Sequence, residues 1–414
     1  MLSSTTTHSL QYIELEEKYG ATNYHPIPVV ISKGKGAEVW DVEGKKYFDF
    51  LSAYSAVNQG HCHPHIIKAL IEQAQNLTLT SRAFHNDQLG PYEKFITSVF
   101  GYDRVLPMNT GVEGGETAVK LARRWGYDVK RVPQNKAKII FANGNFWGRT
   151  IAAISSSTDP VSRKGFGPFI PGFELIPYND LEALETALQD SNVVGFMVEP
   201  IQGEAGVVVP DTGYLQKAHE LCKSNNVLLI ADEVQTGIAR TGKMLCSDHE
   251  NVKPDILILG KALSGGVFPV SAVLCNDEIM LNIKPGEHGS TFGGNPLACA
   301  VAHAALEVVL TENLADNANN LGNIFRSRIQ KELVDQTKIV QLVRGMGLLN
   351  AIVIDDHIDS KTAWNICMQL ANNGLLAKPT HGNIIRFAPP LVMTEDQLHI
   401  CIDIIIKTCK EFEI

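Results

Sequence analysis

An α/β fold with a mainly parallel central sheet covered by helices is the class this sequence predicts, and three observations carry the prediction. Short, near-continuous apolar runs alternate with helix-length amphipathic segments from about residue 65 onward. Two of the runs end in Asp232-Glu233 and Gly260-Lys261, where open α/β sheets present ligand-binding side chains. The 414 residues are 44% hydrophobic and 20% charged, which supplies an extensive core over two or three domains and is unlike a disordered chain.

Up to about Gly60 the pattern reads as hairpins and docking loops. Turn signals at Lys33-Gly34-Lys35-Gly36 and Val42-Glu43-Gly44-Lys45 punctuate short runs around Trp40, Tyr47, Phe48 and Phe50. Ile66, Ile67, Leu70, Ile71 and Ala74 then recur at helical spacing. Strands are predicted over 139–142, 193–198, 227–231, 256–259 and 270–274, because an all-apolar run suits a strand covered on both faces. Between them, Asn179 is placed to cap a helix with Glu182 at its third position, and another helix fits residues 211 to about 225. Segments 297–309 and 321–333 read as long helices, followed by strands near 347–354 and 384–387. The chain divides accordingly into an N-terminal segment over 1–60, a large α/β domain over 61–299 and a smaller C-terminal α+β domain over 300–414.

Lys and Arg number 36 against 45 Asp and Glu, a formal charge of -9, which argues against a general nucleic-acid-binding surface. Eight cysteines, none in a CxxC pair, are too sparse for a disulfide framework and point to a reducing compartment. No run approaches 18 apolar residues, so no membrane span is expected, and the opening MLSSTTTHSL lacks the cationic and apolar regions of a secretory leader.

The chemistry-bearing candidates follow from position. Asp232, just past an apolar run, can bind a metal, act as a base, pair with a protonated heterocyclic nitrogen, or simply cap a helix. Lys261 ends the next run, and an ammonium at the mouth of an apolar core is costly unless it is paired or loses its proton, which would let it attack a carbonyl. Asn109-Thr110-Gly111-Val112-Glu113-Gly114-Gly115-Glu116 precedes a helical run over 117–125, and free N–H groups at such a start can cradle phosphate. Ser290-Thr291-Phe292-Gly293-Gly294-Asn295-Pro296 is a second hydroxyl and glycine cluster before a helix. Gly237 to Lys243 imitates a phosphate loop, but Met244 stands where a hydroxyl must hold magnesium, and an ordinary turn is expected. His61-Cys62-His63-Pro64-His65 is too crowded for a tetrahedral metal site and reads as a structural loop; no metal is expected. Arg149, flanked by Phe146 and Trp147, can hold a carboxylate bidentately, and Arg386 lies in an apolar run and needs a partner, for which Glu204 is a candidate.

Taken together, these segments resemble the fold-type I, class III pyridoxal-phosphate aminotransferases from Tyr19-Gly20-Ala21 through Arg386, and among them the members that use free ornithine. The resemblance implies pyridoxal 5′-phosphate bound covalently to Lys261, with Asp232 holding its pyridine nitrogen protonated. It places Gly111 and Val112 at the phosphate, Phe146 against the ring and Gln235 near the ring oxygen. It brings Ser290 and Thr291 to the phosphate from a neighbouring subunit, hence a homodimer, with the 1–60 segment packed against the small domain and the dimer partner. It assigns Tyr24 and Arg149 to the α-end of L-ornithine, Tyr54 to the pocket wall, and Arg386 to the α-carboxylate of 2-oxoglutarate, with Glu204 masking Arg386 in the ornithine half-reaction. The implied activity moves the δ-amino group of L-ornithine to 2-oxoglutarate, giving glutamate 5-semialdehyde and glutamate. Phe268 and Phe292 stand where many relatives carry tyrosine, and Gly114 where alanine is common. A cytosolic location is expected, with the mitochondrial matrix as the alternative.

Overall fold

The computed structural model describes residues 7–413, which fold around three sheets. The first is an antiparallel meander of β1 (Ile31–Lys35), β2 (Glu38–Asp41) and β3 (Lys46–Asp49). The central sheet comprises β4 (Arg104–Met108), β5 (Lys138–Ala142), β6 (Phe173–Ile176), β7 (Val193–Val198), β8 (Leu228–Asp232), β9 (Ile256–Leu259) and β10 (Ser271–Cys275), in the order β4-β10-β9-β8-β7-β5-β6. Strands β5 to β9 pair in parallel, whereas β10 runs antiparallel to both β9 and β4. The last sheet holds β11 (Val340–Met346), β12 (Leu349–Ile354), then β14 (Lys378–Thr380) and β15 (Ile384–Phe387) after the two-residue β13 (Leu375–Leu376). Strand β13 leaves that sheet and pairs in parallel with β3, tying the first sheet to the C-terminal part of the chain.

Why the central sheet forms is plain from its strands. Every residue of β7, β8, β9 and β10 is buried and, apart from Asp232 at the end of β8 and Ser271 at the start of β10, none carries a polar side chain, so the strands need cover on both faces. At about 2 kcal/mol for each fully buried Ile, Leu or Val side chain, these strands dominate the stability of the region. Helix Gly111–Asp128 covers one face with Ala118, Leu121, Ala122 and Trp125, and begins at a capping box in which Thr110 and Glu113 satisfy each other's backbone N–H. Helix Pro296–Thr311 is capped by Asn295 and buried almost all round, with Val301, Ala302, Ala305 and Leu306 in the largest core.

Several local expectations are corrected. The helix Leu181–Ala187 is capped by Asp180, which accepts the N–H of Ala183; Asn179 adopts a φ of 62° and caps nothing. The helix expected from residue 117 starts at Gly111, because the capping box tolerates three glycines in its first turns. The helix expected over 211–225 spans Tyr214–Ser224, and the one expected from 321 starts at Leu314. Strands β4, β6 and β11 and helix Thr7–Tyr19 escaped the pattern reading. β4 and β6 are sheet edges carrying Pro107 and Glu174, and β11 alternates with Gln341 and Arg344, so none reads as an apolar run. Of the opening ten residues, 1–6 lie outside the described residues. Among the described residues, no single helix is long and apolar enough to cross a membrane.

Candidate active site

The floor of the site follows from strand order. Because β7, β8 and β9 are parallel neighbours, their carboxyl ends lie side by side, and the first polar residues beyond the apolar runs meet there: Glu199, Asp232 and Lys261. They line one cavity of about 230 Å³. Asp232 is buried, and burial pushes its carboxyl up to about 6 against the opposing pull of the Val234 N–H, 3.1 Å from Oδ1, and of Lys261. It is the last residue of a strand, not a helix cap. The Lys261 ammonium is held below the usual lysine range, first by burial and then by the positive charge of Arg386, while Asp232, Glu204 and Glu199 oppose that shift. Its φ of 46° turns the chain out of β9 so that the side chain faces the cavity. Glu199 accepts the Phe146 N–H at 2.8 Å and is pushed well above the carboxylate range by burial and by Asp232.

Phe146, Trp147 and Gly148 from the loop after β5 form one wall, with Val234 and Gln235 beyond β8 opposite. Gly111 and Val112 close the end at the start of helix Gly111–Asp128, where backbone N–H groups have no intrahelical acceptor. A Cβ on Gly111 would stand 2.9 Å from the Val234 side chain, so glycine keeps this helix terminus against the cavity. The side-chain oxygen of Gln235 is buried with no partner among the described residues.

These features fit pyridoxal phosphate. A buried amide oxygen without a partner among the described residues lies at a site needing a polar group, N–H groups at a helix start suit a phosphate, and a lysine of lowered basicity and a buried carboxylate suit an aldehyde and a ring nitrogen. Gly111, Val112, Phe146, Gln235, Asp232 and Lys261 thus converge on one cavity.

Above the floor, Arg386 and Glu204 meet. Arg386 Nη1 donates to the Gly203 carbonyl at 2.7 Å and to Glu204 Oε2 at 3.0 Å, and the guanidinium carbon lies 4.8 Å from the centre of the Tyr54 ring. Tyr54 sits in Ser52–Ser55, four consecutive residues with φ of 48°, 47°, 61° and 71°. A left-handed turn of non-glycine residues costs about 1–2 kcal/mol for each. The Tyr54 phenol is pushed upward by burial first and then by Glu204, against the pull of Arg386; Tyr24, 70% exposed, adds a smaller upward push and so lies near this rim. Arg149 is exposed, stacks 5.5 Å from the Phe146 ring and donates to Ser162 Oγ at 3.3 Å. Ser290 and Thr291 do not line the cavity; Ser290 Oγ accepts from Asn109 at 2.8 Å and Thr291 is exposed.

Sequence reasoning missed Glu199, although it follows an apolar run just as Asp232 does, and it missed the left-handed turn, for which no glycine or asparagine gives a signal. The His-Cys-His-Pro-His loop gives each imidazole a carboxylate: His61 with Asp49, His63 with Glu312 and His65 with Glu307. In the turn 237–243, Arg240 is wholly buried and donates to Leu348 and Pro389 carbonyls, joining the region after β8 to the C-terminal part.

Residues 19–409 match the sequence profile of the family described as aminotransferase class-III. The protein named ornithine aminotransferase, mitochondrial, of Drosophila ananassae is 67% identical over 393 residues, covering 95% of this chain and 90% of that relative. The protein of the same name from Rattus norvegicus is 65% identical over 405 residues, covering 98% and 91%. A solved structure described as acetylornithine aminotransferase from Elizabethkingia anophelis is 61% identical, with a TM-score of 0.90 over 98% of this chain and 100% of its own. The cytosolic expectation is corrected by these relatives: the fly and rat proteins are both named mitochondrial, which favours the mitochondrial alternative.

Proposed function

This chain belongs to the class-III aminotransferases, of fold type I, and on that premise we infer that it transfers the δ-amino group of L-ornithine to 2-oxoglutarate. The products are glutamate 5-semialdehyde, which cyclises to pyrroline-5-carboxylate, and L-glutamate, formed in two half-reactions at one site. Pyridoxal 5′-phosphate, held covalently by Lys261, supplies the electron sink and carries the amino group between the two substrates.

The chain's own residues do the rest. Among the residues lining the cavity, Asp232 would hold the ring nitrogen with its negative charge, Phe146 would pack on the ring, Gln235 would pair with the ring oxygen, and the Gly111 and Val112 N–H groups would take the phosphate. Lys261 Nζ, its basicity lowered, would take the proton from the amine-bearing carbon of the substrate and deliver it to the carbonyl carbon of the cofactor, and would run the same transfer in reverse for the second substrate.

The observation that carries the donor assignment is the Arg386–Glu204 pair at 3.0 Å. With Arg386 masked, an entering amino acid finds no free guanidinium beside Lys261 for its α-carboxylate, so its α-end is held farther out by Arg149 and Tyr24 and its distal amine reaches the lysine. When 2-oxoglutarate enters, Glu204 gives up Arg386 to the α-carboxylate and Arg149 takes the distal one. Ser290 and Thr291 reach the phosphate from a second copy of the chain. Their absence from the cavity supports this arrangement, as does the exposure of Phe84 at 72% and Phe292 at 51%, large apolar surfaces suited to a homodimer interface.

N-acetylornithine is the second reading, favoured by the name of the Elizabethkingia relative. A single-turnover absorbance scan of cofactor-loaded enzyme with L-ornithine, N-acetylornithine and 4-aminobutyrate, followed by 2-oxoglutarate, separates the two. Ornithine is expected to convert the cofactor fastest, with semialdehyde as product. Faster conversion by the acetylated donor overturns the ornithine assignment and leaves the fold and cofactor reading intact.

A further inference from the structure

The four left-handed residues Ser52–Ser55 are held at their N-terminal end by Asp49 and His61, neither of which lines the cavity. Asp49 Oδ1 accepts the N–H groups of Leu51 at 2.9 Å and Ser52 at 2.8 Å, and Asp49 Oδ2 meets His61 Nε2 at 2.7 Å. His61 is itself fixed. Its backbone exchanges hydrogen bonds with Gly36 at 2.8 and 3.0 Å, and Gly34 makes room for its ring, since a Cβ there would stand 2.8 Å from His61 Cβ. Inside the turn, the backbone closes through Tyr54 N–H to the Leu51 carbonyl and Ala56 N–H to the Ser52 carbonyl. The Ser52 and Ser55 hydroxyls are buried with no partner among the described residues, so side-chain hydroxyls do not hold the turn. At its far side the Tyr54 ring lies on the Arg386 guanidinium, whose Nη1 is aimed at Gly203 and Glu204.

We propose that Asp49 and His61 are positioning residues for donor selection: they hold the left-handed turn, and the turn keeps the Tyr54 ring on Arg386 so that Arg386 stays on Glu204. The ring occupies one face of the guanidinium and so restricts its swing. With the turn relaxed, Arg386 leaves Glu204 more readily and becomes available to an α-carboxylate in either half-reaction. The inference rests on the ornithine reading above and adds to it the device that sets how firmly the mask is held.

The test compares cofactor-loaded wild type, Asp49→Asn and His61→Gln, each alone and combined with Tyr54→Ala. Asp49→Asn keeps an oxygen for the two turn N–H groups and loses the charge facing His61; His61→Gln changes a side chain that is 24% exposed and serves if the first variant folds poorly. Each single variant is expected to lower the ornithine-over-glutamate ratio of kcat/KM about tenfold, with a lower KM for glutamate and little change in kcat. Calorimetric binding of glutarate, a dicarboxylate without an amine, is expected to tighten several-fold. In the Tyr54→Ala background neither change should move the ratio further. Equal losses on both donors, an unchanged glutarate affinity, or the same effect without the Tyr54 ring overturns the positioning role. A wild type that prefers glutamate to ornithine overturns instead the donor reading beneath it.

Discussion

The floor and the rim of the cavity are built by opposite means. Glu199 directly follows β7, Asp232 ends β8 and Lys261 stands two residues past β9, so their spacing is set chiefly by three buried parallel strands. Arg386, Glu204 and Tyr54 come from β15, the loop after β7 and a left-handed turn, and meet through one ion pair and one ring contact. On the proposed function, the floor would carry chemistry common to any amine and needs rigidity, whereas the rim would exchange a mask for a substrate between half-reactions and needs a pair that can part. That contrast teaches where mutations should change rate and where they should change choice.

Asp232→Asn breaks the floor and has the largest expected effect. Without the charge beneath the ring nitrogen, kcat should fall about 10³-fold on every donor alike. Stability of the cofactor-free protein should move the other way. The folded-state carboxyl lies near 6 against 3.8, so the folded form binds the extra proton between those values. Its favourable contribution is complete below pH 3.8 and is lost as pH rises through 6, a difference of about 3 kcal/mol. Denaturant titrations should therefore find the Asn variant more stable at pH 8, with the advantage gone near pH 4. An Asn variant less stable at pH 8 would show that Lys261 compensates the charge in the folded state.

Glu204→Gln acts on the rim and should change choice more than rate. Arg386, with only 4% of its side chain exposed, keeps the Gly203 carbonyl but loses its charged partner, so an α-carboxylate can claim it during donor binding. The ornithine-over-glutamate ratio of kcat/KM should fall about 30-fold, mainly because glutamate improves. Steady-state kinetics on both donors checks this. A uniform loss on both would mean that floor and rim act as one rigid unit.

The same contrast explains what the sequence made legible. Five buried strands announced themselves as apolar runs, and the residues ending two of them, Asp232 and Lys261, are found on one cavity floor. Asp180 displaced Asn179 as a helix cap because neighbouring side chains compete for the same N–H groups, and local pattern does not rank them. Tyr54 could be named from the resemblance, but its turn could not be foreseen: four non-glycine residues at positive φ contradict local preference, and the Asp49 carboxylate that takes the N–H groups at the start of the turn has as partner His61, which lay in a motif read as a loop. Ser290 and Thr291, named from the resemblance, do not line the cavity of this chain, and only the proposed second copy would bring them to one.

The smallest expected effect tests how tightly the floor is packed from below. Gly114 lies in the helix over β9, and a Cβ there would stand 2.9 Å from Ile258 Cγ2, closer than packed carbons tolerate. Ala at this position gains about 1 kcal/mol of helix propensity and loses about 1–3 kcal/mol by overpacking, so Gly114→Ala should destabilise by roughly 1 kcal/mol. Ile258→Leu removes the β-branch methyl that blocks the site at little change in volume. Combined with it, Gly114→Ala should become neutral or stabilising, a coupling of at least about 1 kcal/mol in a double-mutant cycle followed by urea unfolding. Additive effects would mean that the helix slides away from β9, moving Gly111 and Val112 with it. In that case phosphate affinity, measured by cofactor titration, should weaken in Gly114→Ala, and the floor would prove as adjustable as the rim.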